Sequence, residues 1–232
     1  MGEAARRRLP GEVMSTVLEE VSKPEADLPE APTIPSRPGE PAWEIARYFP
    51  RQGHWTEEAF LAIPNNLRLE LNDGVLEFLP VPTFSHHDLL QYLFFKLHGH
   101  VTSHKLGLVY VNGVKIKLWD GQIREPDVVY LRPERITDRS KPSDGADLTM
   151  EVVSGSHEDR QRDLVVKKLI YAKSGIPEYW IIDPKTESIS VLVLKGDAYE
   201  VHGEFKSGQV ATSVLLPGFE VDVAACFAAA MV

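Results

Sequence analysis

The segment Gly175-Ile-Pro-Glu-Tyr-Trp-Ile-Ile-Asp183 constrains the fold more than any other part of the chain. Tyr179-Trp-Ile-Ile is a continuous apolar run, the pattern of a strand buried on both faces. Such a strand needs a packed layer on each side of its sheet. A chain of 232 residues that is 43% hydrophobic can supply both layers. Just upstream, residues 157–174 read as a helix, stopped by Gly175 and Pro177.

The remaining elements can be placed around that unit. Thr56 caps a short helix that runs through Ile63 and stops at Pro64. Residues 68–71 and 75–79 flank Asn72-Asp73-Gly74, the signature of a β-hairpin. Leu89, Leu93, Phe94, Leu97 and Val101 repeat at helical spacing and predict a helix over 85–103 with Ser85 as its N-cap. Three strands follow, at 108–118, 123–131 and 148–153, with Gly121 turning the first pair and Gly113 marking a bulge. Beyond the central strand, 188–223 alternates and turns at Gly196-Asp197 and Lys206-Ser207-Gly208, an antiparallel extension. The order helix, three strands, helix, strand, with added hairpins, defines a mixed α/β domain.

Seven of the 17 prolines fall within the first 41 residues, and no aromatic residue precedes Trp43. The expectation is a flexible Pro-rich arm over 1–42, with a short helix at 11–22, followed by one folded domain over 43–232. The net charge of −9 argues against non-specific coating of nucleic acid, unless Lys and Arg gather on one face. A single cysteine, Cys226, excludes an internal disulfide framework. No apolar run of about 18 residues exists, so no membrane span is expected. Arg6-Arg7-Arg8 is not followed by an apolar signal region, and the expected location is the cytoplasm.

Chemistry is suggested by acidic residues at strand positions. Asp127 opens the apolar run Val128–Leu131, and Glu151 lies inside Leu148-Thr-Met-Glu-Val-Val. A carboxylate in an apolar strand is costly unless paired or metal-bound. Two of them on neighbouring strands can share one Mg²⁺ or Mn²⁺ ion, which removes their repulsion. Asp163, Lys167 and Tyr171 at i, i+4 and i+8 share a helix face from which Lys167 can reach a metal-bound phosphate. His86, His87 and Glu70 are further polar candidates. Plainer roles stay open: Asp127 as a strand-end cap, Glu151–Lys167 as a structural ion pair, Tyr171 as core, Arg160 and Arg162 as a solvated helix face. Nucleophile-elbow, Walker, dinucleotide-loop and His-Glu-x-x-His patterns are absent.

Pro126-Asp127-Val-Val-Tyr, Glu151-Val-Val-Ser154, Asp163-x-x-x-Lys167-x-x-x-Tyr171 and Gly175-Ile-Pro-Glu-Tyr-Trp-Ile-Ile-Asp183-Pro together resemble the Uma-two family. That family groups restriction-endonuclease-like proteins of the PD-(D/E)xK superfamily. Glu70-Leu-Asn-Asp-Gly74 and Ser85-His86 also match, and the resemblance runs from about Trp55 to Phe227. It implies a restriction-endonuclease-like core, a central mixed β-sheet flanked by helices, with Asp127 and Glu151 as metal ligands. The superfamily's usual lysine, two residues after the acidic one, is replaced here by Val153. The family places the lysine on the helix instead, at Lys167 with Lys168 as the neighbouring option, while Glu70, His86, Asp163 and Tyr171 take supporting roles. The implied activity is a Mg²⁺- or Mn²⁺-dependent endonuclease acting on nucleic acid, DNA above all. A homodimer is expected for cutting two strands, with the 188–223 extension and the C-terminal 224–232 as partner surfaces. The competing class is a non-catalytic interaction protein that keeps the nuclease fold.

Overall fold

The structure, a computed structural model, describes residues 37–39, 49–63, 68–154, 160 and 162–231. The chain divides into two units, 1–50 and 51–232. In the first, Pro38 and Gly39 form a turn, and most of the expected arm, with its helix at 11–22, lies outside the described residues. All that follows concerns the second unit.

Helix α1 (Glu57–Leu61) starts where the Thr56 side chain accepts a hydrogen bond from the Ala59 amide, the expected cap. Strands β1 (Leu69–Asn72) and β2 (Val75–Phe78) form the expected hairpin. Its two-residue turn has positive φ at both Asp73 (46°) and Gly74 (83°), the conformation that matches strand twist. A Cβ on Gly74 would lie 2.6 Å from the Gly53 carbonyl oxygen, so this position also needs the missing side chain.

Helix α2 (Phe84–Ser103) buries Leu89, Leu90, Leu93, Leu97 and Val101. Its N-cap is Thr83, whose side chain accepts from the His86 amide at 3.2 Å, and not the expected Ser85. The chain is still extended at Thr83 and already helical at Phe84, so Ser85 sits inside the first turn.

The strands expected at 108–118 and 123–131 are each divided. The first becomes β3 (Leu108–Val111) and β4 (Ile116–Trp119); the second becomes β5 (Gln122–Arg124) and β6 (Val128–Leu131). Gly113 does not mark a bulge within one strand. Asn112 and Gly113, at φ 48° and 70°, turn the chain out of one sheet, and Glu125-Pro126-Asp127 returns it. Pro126 has no amide to donate, so the ladder breaks there naturally.

β7 (Ser143–Asp144), β8 (Leu148–Val152), β9 (Glu178–Asp183), β10 (Ser188–Lys195) and β11 (Ala198–Lys206) complete two sheets. Their orders are β11-β10-β9-β8-β6-β3 and β2-β1-β5-β4-β7, and the short strands β12 (Val210–Thr212) and β13 (Glu220–Asp222) pair separately. The six-stranded sheet is mixed: only β8 and β9 run parallel. Trp180 and Ile182 pack with α2 on one face, while Tyr179 and Ile181 pack with Tyr171 and Ile176 on the other. The continuous apolar run is thus a strand buried on both faces.

The helix expected over 157–174 has a more complex form. Residues 162–166 make a wide π turn that leads into α3 (Lys167–Lys173), with Ser174 as C-cap and Gly175 at φ 78°. Its expected start at 157–159 lies outside the described residues. The last helix, α4 (Val223–Ala228), buries Val223, Cys226 and Phe227 in this chain's own core. That face of the C-terminus therefore covers its own domain, while Ala224, Ala225 and Ala228 remain exposed.

Candidate active site

Asp127 and Glu151 are brought together by strand register. β6 and β8 pair antiparallel with Val128 opposite Met150, so one step further along the ladder sets Asp127 opposite Glu151. Directly opposed residues share a face of the sheet, with Cβ atoms about 5 Å apart. The ladder itself yields to the side chain here: Asp127 Oδ2 accepts the Val152 amide at 2.9 Å.

Each carboxylate has cationic company. Lys167 Nζ donates to Glu151 Oε2 at 2.7 Å, and the Tyr171 hydroxyl donates to Glu151 Oε1, also at 2.7 Å. Arg68 reaches within 3.6 Å of Asp127 Oδ1. His86 Nε2 stands 3.4 Å from the same oxygen but has no partner in hydrogen-bonding geometry, so it acts as a close electrostatic neighbour. Burial by itself would raise the Asp127 pKa. The His86 imidazole, the Lys167 charge and the Val152 amide outweigh it, and the carboxyl is held below its ordinary value. Tyr171 goes the other way: burial, then the Glu151 charge, push its hydroxyl well above the usual range, so it stays a donor.

These groups open onto one cleft of about 440 Å³. Asp127, Glu151, Lys167 and His86 all line it. Lys167 is buried at Glu151, whereas Lys168, the other option, does not line the cleft. Tyr171 stands behind Glu151. Glu70 lies deeper still, fully buried, bonded to Arg124 at 2.8 Å and accepting the Glu125 amide. Burial would raise its pKa, but Arg124 first and Lys167 second bring it below the ordinary value. Glu70 therefore supports the wall and does not face the cleft. The side chain of Asp163 lies outside the described residues.

Three cleft residues were not legible as such. Arg68 bonds Glu125 at 3.3 Å and the Pro80 carbonyl at 3.4 Å while facing Asp127. Arg160, expected on a solvated helix face, instead clasps Asp183 through two bonds of 2.8 and 2.7 Å and lines the cleft. That clasp leads the causes that bring the Asp183 pKa down to about 2. Lys185 adds a third cation. The only advance signal for any of these was the Asp183-Pro ending of the apolar strand.

The donor chemistry suits a hard divalent cation. Two carboxylates, one of them held ionised by its surroundings, open onto a cleft; Mg²⁺ is commonly bound by one or two carboxylates plus water and phosphate oxygens. Among the described residues no group of three or more His, Cys, Asp or Glu is arranged to hold a metal.

A family model described as "Putative restriction endonuclease" matches residues 57–224. This chain belongs to the Uma2 family. A crystal structure titled a "putative nuclease belonging to DUF820", from Anabaena variabilis, shares the fold at a TM-score of 0.61. It is 17% identical, and the match covers 76% of this chain and 99% of that one. No curated protein matches. The Uma2 core is thus a mixed sheet flanked by helices, and among the described residues no helix is long and apolar enough to cross a membrane.

Proposed function

We propose that this protein is a Mg²⁺- or Mn²⁺-dependent endonuclease that hydrolyses phosphodiester bonds in DNA, with Asp127 and Glu151 as metal ligands and Lys167 as the catalytic lysine. The observation that carries this reading is the convergence of the three side chains, from two strands and a helix, on the wall of one cleft. A divalent ion held by the two carboxylates supplies Lewis-acid polarisation of the phosphodiester and a water of lowered pKa. Hydrolysis forms one P–O bond from water and breaks another, leaving a phosphate monoester and a hydroxyl.

Lys167 orients the attacking water beside Glu151 and offsets charge growing on the phosphoryl oxygens. Tyr171 fixes the second Glu151 oxygen. His86, Lys167 and the Val152 amide keep Asp127 ionised, and Glu70 braces the wall through Arg124. Arg68, His86, Arg160, Lys167 and Lys185 line the cleft against Asp127, Glu151 and Glu187, so basic groups gather here although the whole chain carries −9. A homodimer, acting in the cytoplasm, supplies the two centres needed to cut both strands.

One observation favours the non-catalytic reading: both Glu151 oxygens are already engaged, by Lys167 and Tyr171, as in a self-contained structural cluster. Plasmid nicking with Mg²⁺ or Mn²⁺, beside an EDTA control and the Glu151→Gln protein, separates the two. Cleavage that needs both the metal and Glu151 supports the nuclease. No cleavage by folded protein, together with no Mn²⁺ binding in calorimetry, overturns it in favour of the interaction protein.

A further inference from the structure

The connection between β2 and α2 exposes apolar surface beside the cleft. Phe78, Val81 and Phe84 are 66%, 91% and 91% exposed. Scattered exposed side chains need no explanation, but here three fall within seven residues, and the middle of that stretch lines the cleft. Val81 lines the cleft itself, between Pro80 and Pro82, which line it too. The two prolines fix their own φ and hold Leu79 and Val81 near extended conformations. The exposure of Val81 is therefore a rigid presentation.

This lip is tied to a cation. The Leu79 amide bonds the Arg68 carbonyl at 3.0 Å, and the Arg68 guanidinium bonds the Pro80 carbonyl at 3.4 Å. Arg68 in turn faces Asp127. An apolar edge and a guanidinium in one braced unit complement the two parts of a nucleotide, base and phosphate. The carboxylates are also recessed: Asp127 is 5% exposed and Glu151 1%. A continuous double helix, stiffened by stacking and pairing, bends into such a cleft only at a cost in deformation energy. A strand released from pairing can bend into the cleft.

We propose that the Pro80-Val81-Pro82 lip is an apolar wedge that holds an unpaired base beside the scissile phosphate, so that the substrate class is DNA with a locally unpaired strand. Apolar side chains, proline included, serve as such wedges by displacing bases from the stack. The inference rests on the nuclease reading and adds substrate form to it.

The test uses the full chain and three labelled DNAs of one sequence: a single strand, a duplex with a three-nucleotide bubble, and a fully paired duplex. Affinity is read by fluorescence anisotropy in Ca²⁺, and cleavage in Mg²⁺. Wild type is expected to favour the single strand and bubble over the duplex by about tenfold, the order expected from burying one valine side chain against a base. Val81→Ser is expected to lose that preference and Val81→Ile to retain it. Because Val81 is exposed, neither change threatens the fold. Equal binding and cleavage of all three DNAs, or a Val81→Ser protein that keeps its preference, overturns the wedge and leaves the nuclease standing. Failure to bind or cut any of the three overturns both.

Discussion

The six-stranded and five-stranded sheets both bury charged side chains, but in different surroundings. In the smaller sheet the charges meet one another: Glu70 in β1 and Arg124 in β5 lie 2.8 Å apart, and Arg124 also holds Glu77 at 2.6 Å. The apolar core there is small, with Phe60, Leu69, Leu71, Leu76 and Ile123 buried. In the larger sheet, apolar layers fill both faces, and Asp127 and Glu151 gather at strand ends that border a cleft. The first arrangement closes on itself. The second leaves its oxygens within reach of something that enters from outside. A buried charge taken alone is thus a poor guide to function; its position relative to a cavity is a better one.

The contrast can be broken most forcefully at Arg124. Arg124→Ala leaves Glu70 buried without its partner and is expected to cost about 3–5 kcal/mol in urea denaturation. The pair Glu70→Leu with Arg124→Met should recover most of that loss, since both charges leave together. A single-variant cost below about 1 kcal/mol would mean that the small sheet does not depend on its ion pair. At the cleft the pattern should invert. Glu151→Gln is expected to lower nicking by about 10²–10³-fold while cooperative unfolding is kept. Loss of folding in that variant would erase the distinction between the sheets.

Smaller effects sharpen the picture. Asp183 titrates near 2 against an ordinary 3.8, so its folded form is the more acidic. The stability it contributes is complete above the ordinary value and is lost as pH falls from about 4 towards 2. Asp183→Asn should flatten the pH dependence of the melting temperature in that window, and an unaltered slope would show that the Arg160 clasp is not maintained in solution. The smallest change concerns the helix cap. Thr83→Ala should cost about 1 kcal/mol, and Ser85→Ala less than about 0.5 kcal/mol, because only Thr83 bonds the first turn. Equal costs would return Ser85 to the cap.

Much of this was written in local pattern. The Asp73-Gly74 hairpin, the helical stripe of α2 and the two-faced strand around Trp180 each follow from spacing that a few residues carry. The meeting of Asp127, Glu151 and Lys167 was readable because all three lie on or beside strongly patterned elements. The split at Asn112-Gly113 was hidden, since apolar residues continue on both sides and periodicity does not reveal that a strand has changed sheets. Arg68 and Arg160 were hidden for another reason: their partners lie 57 and 23 residues away, and a long cationic side chain looks the same whether solvated or clasped. The π turn before Lys167 carries no composition of its own.

Glu178, at the start of β9, is completely buried, and its carboxylate accepts from the Trp180 indole, the Ser213 hydroxyl and the amides of Val214 and Leu215. Three of those four donors come from a segment made at least 35 residues later. During synthesis, β9 can join its sheet before that segment leaves the ribosome, but this face of the core cannot close over a bare carboxylate. The buried acid therefore ties closure of that face to residues 213–215. That face stays open until Ser213 and its two neighbours have arrived, and a chain cut short before Ser213 would leave this carboxylate with only the Trp180 indole of its four donors.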